Sequence, residues 1–277
     1  MPIHARRFLR KMRGGAQSHL IEADDGRFYV VKFKNNPQHR RILVNEWLAG
    51  HFLRYLQIAT PETAIVEVSA EFLRQNPEVC ISLGRSRSEV EPGWHFGSCF
   101  PGDPAKVAVY DFLPDVLLNQ VVNQREFLGM LVFDKWTANA DSRQAIFVRA
   151  RVKEFARASM EHPLRVGFVA LMMDHGYVFD GPQWAYRDSP IQGLYFRTQM
   201  YESVRGWDDF QPWLDQVVHF PEDVIDEAIK TMPPDWIAGE DDALNELLEK
   251  LMRRRSRVAD LLRECSVGRV KAFPNWK

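Results

Sequence analysis

The chain has 277 residues, 45% of them hydrophobic and 26% charged, which excludes a disordered chain and leaves room for two units of ordinary size. Lys and Arg number 36 against 37 Asp and Glu. The net charge of −1 excludes a general pull toward nucleic acid or an anionic membrane.

In chain order, residues 5 to 35 read as strands. Arg6, Arg7, Arg10, Lys11 and Arg13 make the first stretch basic, which suits a solvated strand. Gly14-Gly15 breaks it, and Asp25-Gly26 is a hairpin signal between HLIEA and RFYVVKF. Pro37 then opens a helix over about residues 38 to 57. Residues 63 to 68 and 79 to 83 read as strands, 84 to 104 as a long Gly-, Pro- and Ser-rich loop, and 107 to 112 as a strand. Beyond Pro114, DVLLNQVVNQ and REFLGMLVFDKW predict two apolar helices. AIFVRARV and RVGFVALMM predict strands, and the chain from about residue 208 predicts helix. In the last helix Leu244, Leu247, Leu248, Leu251, Val258 and Leu262 recur at helical spacing, and Arg253-Arg254-Arg255 reads as a solvated face. Trp184, Trp207, Trp213 and Trp236 are expected to pack this C-terminal part.

The fold class expected is α+β. A strand-rich N-terminal lobe, residues 1–113, precedes a helix-rich C-terminal lobe, residues 114–277, with a ligand site between them. Cys80, Cys99 and Cys265 have no metal-ligand spacing and read as free thiols of a reducing compartment. The apolar run from Val166 to Met173 is too short to span a bilayer, and the basic N-terminus lacks the apolar segment of a signal peptide. A cytoplasmic protein is expected.

Several residues can carry chemistry. Period-two alternation puts Phe28, Val30 and Lys32 on one strand face, where a lysine meets solvent or an anion. In the following helix Ile42, Ala49, Leu53 and Leu56 form an apolar stripe that contains Glu46. A carboxylate buried there needs a partner, and Lys32 is the nearest sensible one. The small residues of Gly14-Gly15-Ala16-Gln17-Ser18 make either an ordinary turn or a place where backbone N–H groups approach a phosphate. Asp141 stands in a short corner between an apolar helix and the strand AIFV, as a turn former or a reactive carboxylate, with Arg143 and Gln144 close behind. Met172-Met173-Asp174-His175-Gly176 runs an apolar strand into Asp-x-Gly, from which an aspartate can reach Mg²⁺ on nucleotide phosphates. His95, His162 and His175 show no metal spacing, and Cys99 has no evident histidine partner.

Taken in order, GGAQS, VVKF, the helix with Asn-Glu-Trp, FDKWTANADSRQAIF and LMMDHG resemble the HipA-like kinases over about residues 6 to 184. These kinases are a branch of the protein-kinase-like fold that also contains the phosphatidylinositol kinases. The resemblance implies ATP and Mg²⁺ as cofactors. It implies that Lys32 contacts the nucleotide phosphates and is held by Glu46, and that residues 14 to 18 cover those phosphates. Backbone groups around Tyr110, Asp111 and Phe112 would meet adenine. Asp141 would be the catalytic aspartate, and Asp174 would bind Mg²⁺. Family members follow the catalytic aspartate with a metal-ligating asparagine. Gln144 is this chain's substitute, with the right donor atom and a longer reach. That departure leaves two readings, an active kinase and a nucleotide-binding pseudokinase that serves as an interaction module. A second register, Asp134 with Asn139, also fits D-x-x-x-x-N, but Asp134 falls within the predicted helix. The implied reaction is γ-phosphoryl transfer to a Ser or Thr hydroxyl of a protein. Nucleotidyl transfer stays open, because some kinase-like folds bind ATP reversed. The partners implied are ATP, a protein substrate and an antitoxin or regulatory protein, with neither nucleic acid nor membrane bound directly.

Overall fold

The computed structural model describes residues 1–83, 86–151, 166–267 and 271–277. His162, the strand ends expected at Val152 and Arg165, and the loop positions Gly84 and Arg85 lie outside the described residues.

Strands β1 (Ile3–Lys11), β2 (His19–Ala23) and β3 (Phe28–Lys32) form an antiparallel meander, and Asp25-Gly26 turns the second hairpin as expected. Helix α1 (Arg41–Tyr55) follows, then β4 (Thr63–Val68), the short helix α2 (Ala70–Gln75), and β5 (Cys80–Leu83) paired with β6 (Ser86–Glu89). Strand β7 (Gly93–Cys99) inserts between β3 and β4, closing a barrel in the order β1-β2-β3-β7-β4. The expectation of one long loop over residues 84 to 104 is therefore corrected. A strand hydrogen-bonded on both edges gains its stability from the ladders, so small and polar residues do not prevent it. Within β7, His95, Phe96 and Gly97 are buried. His95 Nδ1 accepts the Lys34 backbone N–H at 3.0 Å while Nε2 lies 3.0 Å from the Glu91 carbonyl, so the ring donates there. The alternation on β3 is as read: Tyr29, Val31 and Phe33 fill the barrel core, and Phe28, Val30 and Lys32 face away from it.

Helix α1 differs from a helix with a single apolar stripe. Every residue from Ile42 to Gly50 is buried, because the helix runs between the barrel and the C-terminal helices. Trp47 donates to the Ala228 carbonyl at 2.8 Å and meets Trp236 edge to face. Three of the four expected packing tryptophans also bind this side of the chain: Trp184 donates to Asn45, Trp213 to the Leu56 carbonyl, and Trp236 to the Trp94 carbonyl.

After β8 (Val109–Tyr110), the expected helix DVLLNQVVNQ is cut to α3 (Asp115–Leu118). Val121 instead bridges Phe168, and the Asn123 amide donates to the Ala170 carbonyl at 2.8 Å and accepts its N–H at 2.9 Å. One asparagine side chain thus completes the edge of β10 as a strand would, which outweighs helical propensity here. Helix α4 (Glu126–Thr137) leads into β9 (Gln144–Arg151), which pairs with β10 (Val166–Met173) and β8 in a second sheet. The C-terminal part is helical as expected: α5 (Trp213–Val218), α6 (Glu222–Thr231), α7 (Asp241–Arg254) and α8 (Val258–Val267). A 3₁₀ turn, Arg255–Arg257, divides what the spacing suggested was one helix. Arg254 is not solvated; it is buried, ion-paired to Asp188, and donates to the Lys135 carbonyl at 3.0 Å.

Candidate active site

The site is assembled where β3, α1 and the end of β10 converge. Lys32 Nζ donates to Glu46 Oε1 at 2.5 Å and to Asp174 Oδ1 at 2.7 Å. Lys32 and Glu46 are buried, while the Asp174 side chain keeps 38% exposure. Burial alone would lower the lysine's pKa, but the two carboxylates outweigh it and hold the ammonium above its ordinary value. Glu46 is pushed up by burial and by the Asp174 charge, against the pull of Lys32 and of the His175 backbone N–H. Asp174 is held below its ordinary value, chiefly by Lys32. A single cation therefore serves two carboxylates of different character, one sealed in and one partly exposed.

Asp174 has φ +58, a left-handed conformation that aspartate tolerates better than most residues. That turn takes the chain off the sheet immediately after Met173. Gly176 follows under α1, where an added Cβ would lie 2.7 Å from Ile42 Cγ2. Asn45 fixes the same segment by donating to the carbonyls of Gly176, Val178 and Gly181.

The second aspartate stands on the loop between α4 and β9. Asp141 is exposed; its Oδ1 accepts the Ser142 N–H at 2.7 Å, and its own N–H donates to Asn139 Oδ1 at 3.1 Å. Gln144 Nε2 approaches Asp141 Oδ2 at 3.4 Å. Gln144 also pairs with Met173 across β9 and β10, so it neighbours Asp174. The alternative register fails on burial. Asp134 is inside α4 with no exposure, gripped bidentately by Arg143 at 2.9 and 2.5 Å and bonded by Asn139 at 3.0 Å. Its role is to hold Arg143 and Asn139, which in turn hold the Asp141 loop.

Arg143 is the connector. Beyond Asp134 it donates to the Met173 carbonyl at 2.8 Å and meets His175 Nδ1 at 3.1 Å. Burial and the guanidinium keep His175 well below its ordinary pKa, hence neutral. Its Nε2 then donates to Thr60 Oγ1, 3.1 Å away, and Thr60 donates to the Met172 carbonyl at 2.8 Å. Arg143 thus ties the loop of Asp141 to the turn of Asp174. The sequence places Arg143 close to Asp141, but nothing in it marks Thr60, Asn45 or Asn123 as supports.

The remaining candidates are placed as follows. The Gly14–Ser18 turn joins β1 to β2, and the Gln17 side chain is clasped to Ser82, donating to its carbonyl and accepting its N–H at 2.6 Å each. Tyr110 pairs with Phe147 in the second sheet, outside the barrel that carries Lys32; Tyr110, Asp111 and Phe112 are all exposed. Among the described residues no group of three or more His, Cys, Asp or Glu side chains could hold a metal ion. The oxygen donors of Asp174 and Gln144 nevertheless suit Mg²⁺, a hard cation that takes one or two protein ligands when nucleotide phosphates supply others. Cys80, Cys99 and Cys265 are free thiols, and among the described residues no helix is long and apolar enough to cross a membrane.

The sequence profile described as HipA-like kinase matches residues 6–267. Crystal structures of the Golgi casein kinase, one with Mn/ADP bound, superpose with TM-score 0.50 at 12% identity, covering 98% of this chain and 74% of theirs. No curated protein matches the chain in sequence. The likeness in structure shows a protein-kinase-like fold of mixed helices and strands.

Proposed function

Because the chain belongs to the HipA-like kinase family, we propose that this kinase-like phosphotransferase moves the γ-phosphoryl group of ATP, with Mg²⁺, to a Ser or Thr hydroxyl of a protein. The observation that carries the reading is the bridge from Lys32 to both Glu46 and Asp174. It joins a strand cation, a helix carboxylate and a strand-end carboxylate into the set that phosphoryl transfer requires. Lys32 neutralises phosphate charge, and Glu46 fixes its direction. Asp174 and Gln144 would hold the metal, which supplies charge neutralisation on the phosphates when bound. Asp141 orients the acceptor hydroxyl and takes its proton as the new P–O bond forms and the bond to ADP breaks. Its exposure, on a loop held through Asn139, supports that division of labour.

The turn at residues 14 to 18 would cover the phosphates through backbone N–H groups. Gln17 would do so without its side chain, which is engaged with Ser82. For the base, strand pairing favours a different location from Tyr110–Phe112. Val30 shares with Lys32 the face of β3 turned away from the barrel core, and Ser98 of β7 pairs with Val30. Adenine lying on Val30 and Ser98 would follow the same sheet that carries Lys32. The division into lobes at residues 113 and 114, with the cleft between them, belongs to the same reading. So does a cytoplasmic setting, supported by three free thiols.

A second reading, a nucleotide-binding pseudokinase, is favoured by one observation. Gln144 turns its amide nitrogen toward Asp141. Incubation with Mg²⁺ and ATP labelled separately at the γ- and α-phosphates separates the readings. Transfer of γ-label to protein, reduced about 10²–10⁴-fold in Asp141→Ala and lost in Asp174→Ala, is expected. Transfer of α-label would make the protein a nucleotidyltransferase. Nucleotide binding without any transfer would favour the pseudokinase.

A further inference from the structure

The segment after the site, residues 189 to 197, is bound through its backbone to the loop of Asp141 and exposes large apolar side chains. Gly193 N donates to the Asp141 carbonyl at 3.2 Å, and Arg143 N to the Leu194 carbonyl at 3.3 Å. Within the segment Ile191 is 58% exposed and Phe196 is 71% exposed. Arg197 then carries the surface across to the chain beyond β8. It donates to the Leu113 carbonyl, pairs with Asp115, and lies 4.6 Å over the Phe112 ring. There Phe112 is 59% exposed and Val116 77%. Four large exposed apolar side chains thus lie along one run of contacts, from the segment bonded to the Asp141 loop through Arg197 to Phe112 and Val116, where a protein surface ordinarily scatters such residues singly.

We propose that this surface receives the polypeptide that bears the acceptor hydroxyl, and that it selects acceptors with bulky apolar residues close to the phosphorylated position. The proposal rests on the kinase reading of the same site and deepens it by naming the substrate class. Two observations commit it to this occupant. The surface is continuous with the loop that would hold the hydroxyl, through the two backbone bonds above. Its charge is also wrong for an anion, because the Arg197 guanidinium is taken up by Asp115 and the Leu113 carbonyl. An extended chain advances about 3.3 Å per residue. Ile191 and Phe196 lie two and three residues from Gly193. A substrate with its hydroxyl at Asp141 therefore sets its residues within about three positions of that hydroxyl against these side chains. Each apolar side chain buried in this way strengthens binding by roughly ten-fold or more.

The test uses the full chain and a fluorescent peptide library. The library has one fixed Ser, degenerate flanks, and subsets in which each flanking position is Leu or Phe, Lys, Glu, or Ser. Binding is measured by anisotropy with ADP and Mg²⁺, and transfer by γ-label with ATP. The proposal expects the Leu/Phe subsets to bind and react best. It expects Phe196→Ser and Ile191→Ser to lose about ten-fold of that preference, with nucleotide affinity and thermal stability unchanged. Apolar selection in binding without any transfer would uphold the docking surface and sink the kinase reading. Transfer without apolar selection, or with selection unchanged in both variants, would overturn the docking surface and leave the kinase reading standing. A shift from a self-associated wild type to monomeric variants, seen by sedimentation, would assign the surface to a second copy and also overturn the proposal. Vesicle binding that the same variants abolish, in place of peptide selection, would overturn it in favour of a lipid surface.

Discussion

Lys32 and Asp174 are 142 positions apart in sequence and 2.7 Å apart in space, with the same lysine nitrogen also on Glu46. Removing the cation leaves two carboxylates facing each other, one of them buried. Lys32→Ala is expected to cost about 3–5 kcal/mol of folding stability, the usual penalty for breaking a buried pair from one side. Glu46→Gln should cost less, because Lys32 keeps Asp174. The double variant Lys32→Met with Glu46→Leu should regain much of the loss while binding no nucleotide. Urea unfolding of the three proteins beside nucleotide titration checks this; equal losses in all three would contradict it.

Arg143 is expected to be irreplaceable by lysine. It grips Asp134 through two nitrogens and reaches the Met173 carbonyl through a third. Lysine offers a single point charge in place of that planar fork. Arg143→Lys and Arg143→Ala should both destabilise the chain, the latter by about 3–5 kcal/mol, and both should lose γ-phosphoryl transfer. Full activity in the lysine variant would show that charge alone suffices.

Gly193 should not accept alanine. Its φ is +67, and an added Cβ would lie 2.1 Å from Asp134 Cβ. The backbone strain is on the order of 1–2 kcal/mol, and displacement of Asp134 from Arg143 adds to it. Gly193→Ala should lower the denaturation midpoint and weaken transfer together. A change within about 0.5 kcal/mol, the range of an ordinary surface substitution, would mean that the segment yields without cost.

Acid should act through buried histidines, His19 and His95 among them, before it acts on the paired carboxylates. Burial lowers His19 to about 4 and His95 to about 3. His19 Nδ1 donates to the Gln17 carbonyl, and Nε2 has no hydrogen-bond partner among the described residues, with the rings of Phe8 and Phe33 beside it. The unfolded chain takes up a proton near the ordinary value of 6.5 and the folded chain does not. The stabilisation from a neutral His19 is therefore complete above 6.5 and is lost as pH falls from there toward 4. Glu46, held high, pulls the other way, so a comparison isolates the histidine. The difference in Tm between wild type and His19→Phe should shrink from pH 7.5 to pH 4.5, and a constant difference would remove His19 from the account.

The sequence by itself determined the local pieces. The DG hairpin, the alternation that turns Lys32 away from the barrel core, and the apolar surroundings that oblige Glu46 to find a partner were all legible. So was the apolar run that ends in Asp174, because each depends on a few neighbouring residues. Tertiary structure decided what depends on partners far along the chain. Strand β7 looked like loop because its ladders lie on β3 and β4, which local composition does not report. Helix DVLLNQVVNQ yielded to an edge that only β10 creates. Asp134 and Asp141 are both aspartates near the end of one helix. Burial against Arg143 makes the first a support, and exposure on a loop that Arg143 ties to the turn of Asp174 leaves the second open to solvent.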